Sequence, residues 1–423
     1  MTHRERRKII VLVFLLIIII LGSIYMYNRR DELQADAKDA SYYGIVEAKI
    51  TTKEKLKDLD HIYEVLEDNY PFFAANERKD GTYFFKNRRK HRRLIKNTKT
   101  DAEFLVAIEM ILSQLNNPHT NILYRDDFKR SFKYRYKDLE RKDQLEIFPY
   151  YEALTSQYSL YRYTFDGGIE DIELYERPNL ELEKLEDGIG YIKIKSMADF
   201  DVLEEDYVEI KNFLDEIKDF DKLIIDIRGN IGGQDEYWKK LVELLAKEPL
   251  ESKYYSLFKD GHRYDRDPYK VEDATVIANL DSSISDKIAD GIKEEYVYYK
   301  EYPIRIEPLE AGEGLGGLNF QGGIYLLVDG DVFAQGENFA SFSKDTGFAK
   351  LVGERTGGNR IFEKVPIFDL KSTRFAVSYS RELGINKDGS INMETGTEPD
   401  IKVEKNEDEN LNKKELIKAV IKD

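Results

Sequence analysis

The chain has 423 residues, a formal net charge of −16 and 41% hydrophobic residues, enough length and apolar content for more than one small core. Such acidity argues against a nucleic-acid partner, because the phosphate backbone recruits basic surfaces. No residue is cysteine, which excludes disulfides, thiol catalysis and cysteine-ligated zinc.

The N-terminus reads as a membrane signal. Ile9–Leu21 is an unbroken apolar run that continues to Tyr27, and these 19 residues span roughly the ~30 Å hydrocarbon core of a bilayer as a helix. Arg4, Arg6, Arg7 and Lys8 precede the run, whereas Asp31 and Glu32 follow Arg29 and Arg30. The charge bias predicts residues 1–30 as a cytoplasmic N-terminus plus transmembrane anchor, with the remainder outside. No small-residue cleavage site follows the run, so an uncleaved anchor is expected rather than a signal peptide. Residues 31–49 are polar and read as a stalk.

A small helical domain is expected over residues 50–125. Thr51-Thr52-Lys53-Glu54 has the form of a capping box, and Leu56, Leu59, Ile62, Tyr63 and Leu66 follow at helical spacing before Pro71. Thr100-Asp101-Ala102-Glu103 repeats the capping signature ahead of an apolar stripe from Phe104 to Leu115. Between them lies a basic run from Lys86 to Lys96, read as a solvated helix face. Residues 126–187 form a connecting region.

The main domain is expected over residues 188–405, before a charged tail at 406–423. Gly190–Ile194 alternates like a half-buried strand. Leu203–Lys218 and Glu236–Lys247 carry helical stripes, and Leu223–Ile227, Ile324–Val328 and Lys350–Val352 are short apolar strands. Strand–helix alternation predicts an α/β sheet covered by helices. Residues 251–320 are rich in tyrosine and charge and show no clear period.

Two strand ends carry the chemistry. LIIDIRGNIGG ends in Gly232-Gly233, where glycine frees the backbone to approach a ligand. DVFAQGENF leads from the next strand into a helix, and its dipole favours negative charge near Gln335. A lone pair of glycines after a strand is ordinarily a turn. Together the segments place two amides where an oxyanion hole is built.

These residues resemble the tail-specific (C-terminal processing) serine protease family. LNNPHTNIL, GIGYIKIKSM, LIIDIRGNIGG, DVFAQGENFA with LVGERTGG, and GTEPDI match family blocks in order, over about residues 50 to 402. The resemblance implies a crotonase/ClpP-like α/β core, a peptide or protein substrate and no cofactor. It puts the nucleophile at Ala334, three residues before Glu337, where no hydroxyl can attack. The lysine of the Ser–Lys branch would stand 25 residues further on, at Asn359, so that dyad is absent. The absence of a recognisable PDZ domain between Tyr124 and Gly188 is similar to the branch related to the tricorn core and the retinoid-binding-protein repeats.

The resemblance to that branch implies His119 as the base and Glu394, or a near neighbour, as its orienting group. It gives Gly232, Gly233 and Gln335 as the oxyanion hole. Thr120, Arg228, Asn230, Glu337, Thr356, Gly357 and Gly358 are implied as substrate or structural support. A lone loop histidine is ordinarily a solvated side chain with no further role, and Glu394 among Met393, Thr395 and Glu398 is ordinarily solvated too. No His/Asp/Glu cluster has metal-ligand spacing, so no metal is expected. Three functions fit: an anchored extracytoplasmic serine endopeptidase in which Ala334 is an engineered replacement of the nucleophile, a natural pseudopeptidase that binds extended peptides, or a ligand-binding module. The sequence leaves the oligomeric state open.

Overall fold

The computed structural model describes residues 44–141, 153–168, 172–174, 177–198, 200–260, 271, 273–288, 290–309, 320–406 and 408–423. The anchor expected over Ile9–Tyr27 and most of the stalk lie outside them. Among the described residues no helix is long and apolar enough to cross a membrane. The chain divides into two compact units, one built from segments up to Val65, Tyr83–Ile172 and Ile367–Tyr379, the other from Leu66–Thr82, Glu173–Pro366 and Ser380–Asp423.

The first unit is mainly helical. Both capping boxes form. Glu54 N donates to Thr51 Oγ1 (3.3 Å) and Thr51 N to Glu54 Oε2 (2.9 Å) at the start of the Thr52–Asn69 helix. Thr100 and Glu103 do the same at the start of Asp101–Leu112, whose stripe from Phe104 to Leu112 is buried. In the basic helix Arg88–Lys96, His91 and Ile95 turn inward, and Arg88 and Arg92 pair with Asp60 at 3.0 and 2.6 Å. The Asp101 carboxylate is buried between Arg162 (2.8 Å) and Lys55 (3.5 Å). It also accepts from Ala48 N (2.8 Å), so the first residue of the Asp101–Leu112 helix ties three distant segments together. A small antiparallel sheet orders Asn121–Ile122, Ala376–Ser378 and Ile367–Asp369.

The second unit is built on a six-stranded sheet. Its order is Ile401–Lys402, Lys350–Gly353, Gly323–Val328, Lys222–Asp226, Ile189–Ile194 and Leu180–Leu185. All neighbours are parallel except the last pair. Period-two alternation sorts the side chains. Leu223, Ile225 and Ile227 face helices Phe200–Glu216, Asp235–Leu245 and Ala334–Thr346, where Trp238 stacks on Phe339 at 5.9 Å. Ile224, Tyr191 and Tyr325 face the other way, against Leu416 and Val420 of the Glu409–Lys422 helix. The charged tail is therefore a docked helix, with its buried apolar residues against the sheet.

The stretch with no clear period contains a long antiparallel pair, Leu250–Phe258 with Tyr298–Ile306, flanked by Leu383–Ile385 and Thr275–Val276. Register sets Tyr254 opposite Tyr302, and Phe362 stacks on both rings at 5.7 and 4.4 Å. These tyrosines fill a core position, which the interleaved charges conceal in the sequence.

Candidate active site

The site grows out of two adjacent strand ends of the second unit. Lys222–Asp226 and Gly323–Val328 lie side by side, and the turns after them are tied together. Gly229 N donates to Asp329 Oδ1 (3.0 Å), which also takes Asp331 N (3.1 Å). Asn230 is fully buried and braces the glycine turn. Its Nδ2 donates to Ile194 O (3.1 Å), its Oδ1 accepts from Gly232 N (2.9 Å), and its carbonyl accepts from Phe333 N (3.1 Å). Arg228 does not share this task. Its guanidinium closes on Asp226 at 2.6 Å, and Asp226 also accepts from Tyr191 Oη (2.7 Å). Strand alternation sends Asp226 to the face opposite Ile227, and Arg228 folds back onto it.

Gly232 and Gly233 have φ of +106° and +143°. A methyl at Gly233 would sit 1.8 Å from Met197 O, because Met197 and the turn are laced by Met197 N to Gly232 O (2.9 Å) and Gln234 N to Met197 O (2.6 Å). A methyl at Gly232 would meet Ala334 Cβ and Gln335 N, both at 2.9 Å. The glycine turn therefore lies directly against position 334 and the first amide after it.

Ala334 opens the Ala334–Thr346 helix with φ +50° and is 1% exposed. Left-handed backbone at an alanine costs roughly 1–2 kcal/mol. The preceding Phe333 is extended and its carbonyl accepts from Gly336 and Glu337. This is a sharp strand-to-helix corner of the kind that presents a nucleophile. Gln335 N makes no hydrogen bond among the described residues, as first-turn helix amides do not.

The expected oxyanion donors differ in availability. The Gly232 amide is already used by Asn230, which corrects its expected role as a donor to a ligand. The Gly233 amide donates to Oε1 of the Gln335 side chain at 3.2 Å. Gln335 thus offers one open amide and covers the other with its own carbonyl, an arrangement its sequence position does not reveal.

Glu337 is fully buried. Its Oε1 accepts from Asn392 Nδ2 (2.6 Å), Thr397 Oγ1 (2.7 Å) and Ser341 Oγ (3.1 Å). Thr356 exchanges hydrogen bonds with Thr397, through Thr397 N to Thr356 Oγ1 (2.6 Å) and Thr356 N to Thr397 O (3.1 Å). Gly357 N donates to Val332 O (3.0 Å), and Gly358 bridges Phe333. The Thr356–Gly358 turn therefore fixes the approach to position 334. The next residue, Asn359, is 2% exposed, and neither amide atom of its side chain has a partner among the described residues. Glu394 pairs with Arg78 at 2.5 Å in the same unit.

His119 and Thr120 belong to the first unit. The Asn117 side chain accepts from His119 N (2.9 Å) and Thr120 Oγ1 (3.3 Å) and so holds their turn. The His119 ring is partly buried, its Nε2 is enclosed without a hydrogen-bond partner among the described residues, and burial lowers its pKa to about 4. Its neutral form therefore prevails near neutrality. No group of three or more potential metal ligands occurs among the described residues.

Residues 188–403, half of the chain, match the family model for peptidase family S41. The chain belongs to this family, the tail-specific proteases. A curated relative from Chlamydia pneumoniae, protein CPj1016/CpB1054, is 24% identical over 249 residues, covering 50% of this chain and 39% of the relative. The chain thus spans about two fifths of the length of the curated relative it matches. Among solved structures, a candidate peptidase from Parabacteroides merdae aligns with a TM-score of 0.54 at 17% identity, over 87% of this chain and 96% of that one. An alanine-for-serine mutant of CPAF aligns with a TM-score of 0.52 at 13% identity, over 83% and 93%. At these identities the likeness is one of fold.

Proposed function

We propose that the chain is a membrane-anchored, extracytoplasmic serine-type peptidase of the tail-specific family, acting on peptides or protein tails, whose nucleophile position holds Ala334 and which is inactive as written. The left-handed Ala334 corner carries this reading. An alanine there gains nothing from a strained backbone, whereas a serine would present its Oγ beside the Gln335 amide. The amides of Gly233 and Gln335 are the oxyanion donors in this scheme, and the Gln335 side chain must swing off Gly233 when a substrate carbonyl enters. His119 is the base and Glu394 its orienting group, as in the branch related to the tricorn core. Ile9–Tyr27 holds the enzyme at the membrane with its N-terminus in the cytoplasm.

A second reading, a natural pseudopeptidase that binds extended peptides as a scaffold or sensor, is favoured by Ala334 itself. The substitution Ala334→Ser separates the two. A peptidase site becomes reactive toward a fluorophosphonate, and a binding module does not.

A further inference from the structure

A cavity of about 460 Å³ opens in the second unit away from position 334. Ser341 lines it, and lies seven residues along the helix from Ala334, roughly 10 Å at the helical rise. At its base is Arg360, 2% exposed. The guanidinium donates to Ile385 O (2.7 Å), Asn386 Oδ1 (3.3 Å) and Ser341 Oγ (3.4 Å), and lies 4.5 Å from the centre of the Tyr254 ring. Its Nε is buried without a partner among the described residues. Every direct acceptor is neutral, and among the described residues no carboxylate lies within ion-pair distance of it. The Glu337 carboxylate does not touch Arg360: the two are linked through the Ser341 hydroxyl and through the Asn386 and Asn392 side chains.

A buried cation without a carboxylate beside it is costly, several kcal/mol per ion before compensation. The rim repeats the pattern. Arg355 lines the same cavity, is exposed, and has neither hydrogen bond nor ion pair among the described residues. The two lysines of the wall are already matched, Lys344 to Asp400 and Lys387 to Asp345. Two guanidiniums without carboxylate partners therefore face one cavity of a size suited to a small organic ligand.

We propose that this cavity binds a ligand through a carboxylate, held by Arg360 at the base and Arg355 at the rim, with the ligand of short-peptide size. Guanidinium forks match carboxylates and phosphates alike. Asp345, Asp388 and Glu398 also line the cavity and repel a compact dianion more than a single carboxylate, which favours the carboxylate.

The test is isothermal titration of the full chain with three probes: the acetylated tripeptide Ac-Ala-Ala-Ala bearing a free C-terminal carboxylate, the same peptide as its C-terminal amide, and inorganic phosphate. The acid should bind about tenfold or more tighter than the amide, the worth of one charge-assisted hydrogen bond. Arg360→Gln and Arg355→Gln should each weaken the acid severalfold and leave the amide unchanged. Arg355 is exposed, so its variant decides the matter even if Arg360→Gln fails to fold. Equal binding of acid and amide, unchanged binding in Arg355→Gln, absence of binding, or tighter binding of phosphate would each overturn the assignment.

Discussion

The Cα of Gly232 faces the Cβ of Ala334 so closely that a methyl on the glycine would lie 2.9 Å from it, and equally close to Gln335 N. Two strand ends are thereby pressed into one corner, and both residues sit in left-handed backbone. Gly232→Ala should destabilise the chain by about 1–3 kcal/mol, through the contact and the positive φ together. Ala334→Gly should leave stability unchanged or raise it by up to about 1 kcal/mol, since it relieves the φ of +50°. Urea denaturation of both variants checks the pair. A destabilised Ala334→Gly would show that the corner is not strained.

The Gln335 carbonyl on Gly233 N is a contact that a substrate must displace. Gln335→Ala removes it and keeps the backbone amide. Peptide affinity should rise about fivefold, the net worth of one neutral hydrogen bond. Fluorescence anisotropy with a labelled extended peptide measures this. Unchanged or weaker affinity would mean that Gly233 is not a donor to the ligand.

His119 sets part of the acid limb of stability. Burial lowers its pKa from 6.5 to about 4, so the unfolded chain binds the proton more readily across that window. Stability should fall as pH drops from about 6.5 towards 4, with no contribution from this group above the window. His119→Gln should flatten that part of the profile. Parallel denaturation curves for the two proteins between pH 4 and 7 would contradict it.

Asp101 anchors the first unit. Burial opposes its charge, but the Arg162 hydrogen bond and charge, with Lys55 beyond, hold its pKa below the usual value of 3.8. Its contribution is complete above that value and is lost as pH falls through the lowered one. Asp101→Asn should cost about 3–5 kcal/mol at neutral pH, because it leaves two buried cations unmatched. Thermal unfolding reads this directly, and a loss below about 1 kcal/mol would show the triad to be dispensable.

What could be read ahead of the structure was local. Thr51/Glu54 and Thr100/Glu103 announce helix starts because a cap is satisfied within four residues. The stripe from Phe104 to Leu112 and the alternation of Leu223–Ile227 record which face is buried. The glycines at 232 and 233 mark a turn that tolerates no side chain. What stayed hidden depends on distant partners. Nothing near Ala376–Ser378 says that it pairs with Asn121–Ile122 in the first unit. The tyrosines at 254 and 302 look like surface until register stacks them on Phe362. Arg228 reads as support for the substrate or the turn until its guanidinium folds back onto Asp226. The Gln335 side chain on Gly233 is a choice of rotamer that spacing cannot report, although a long amide next to an oxyanion position is a signal worth following.

The central claim is that the corner at position 334 is a serine peptidase site lacking only its hydroxyl. The most direct measurement is covalent labelling of the folded Ala334→Ser chain by a fluorophosphonate, with the unaltered chain and Ala334→Ser/His119→Ala as controls. One label per chain is expected in the single variant, none in the unaltered chain, and loss of labelling in the double variant. A folded Ala334→Ser chain that takes no label, or labelling indifferent to His119, would contradict it.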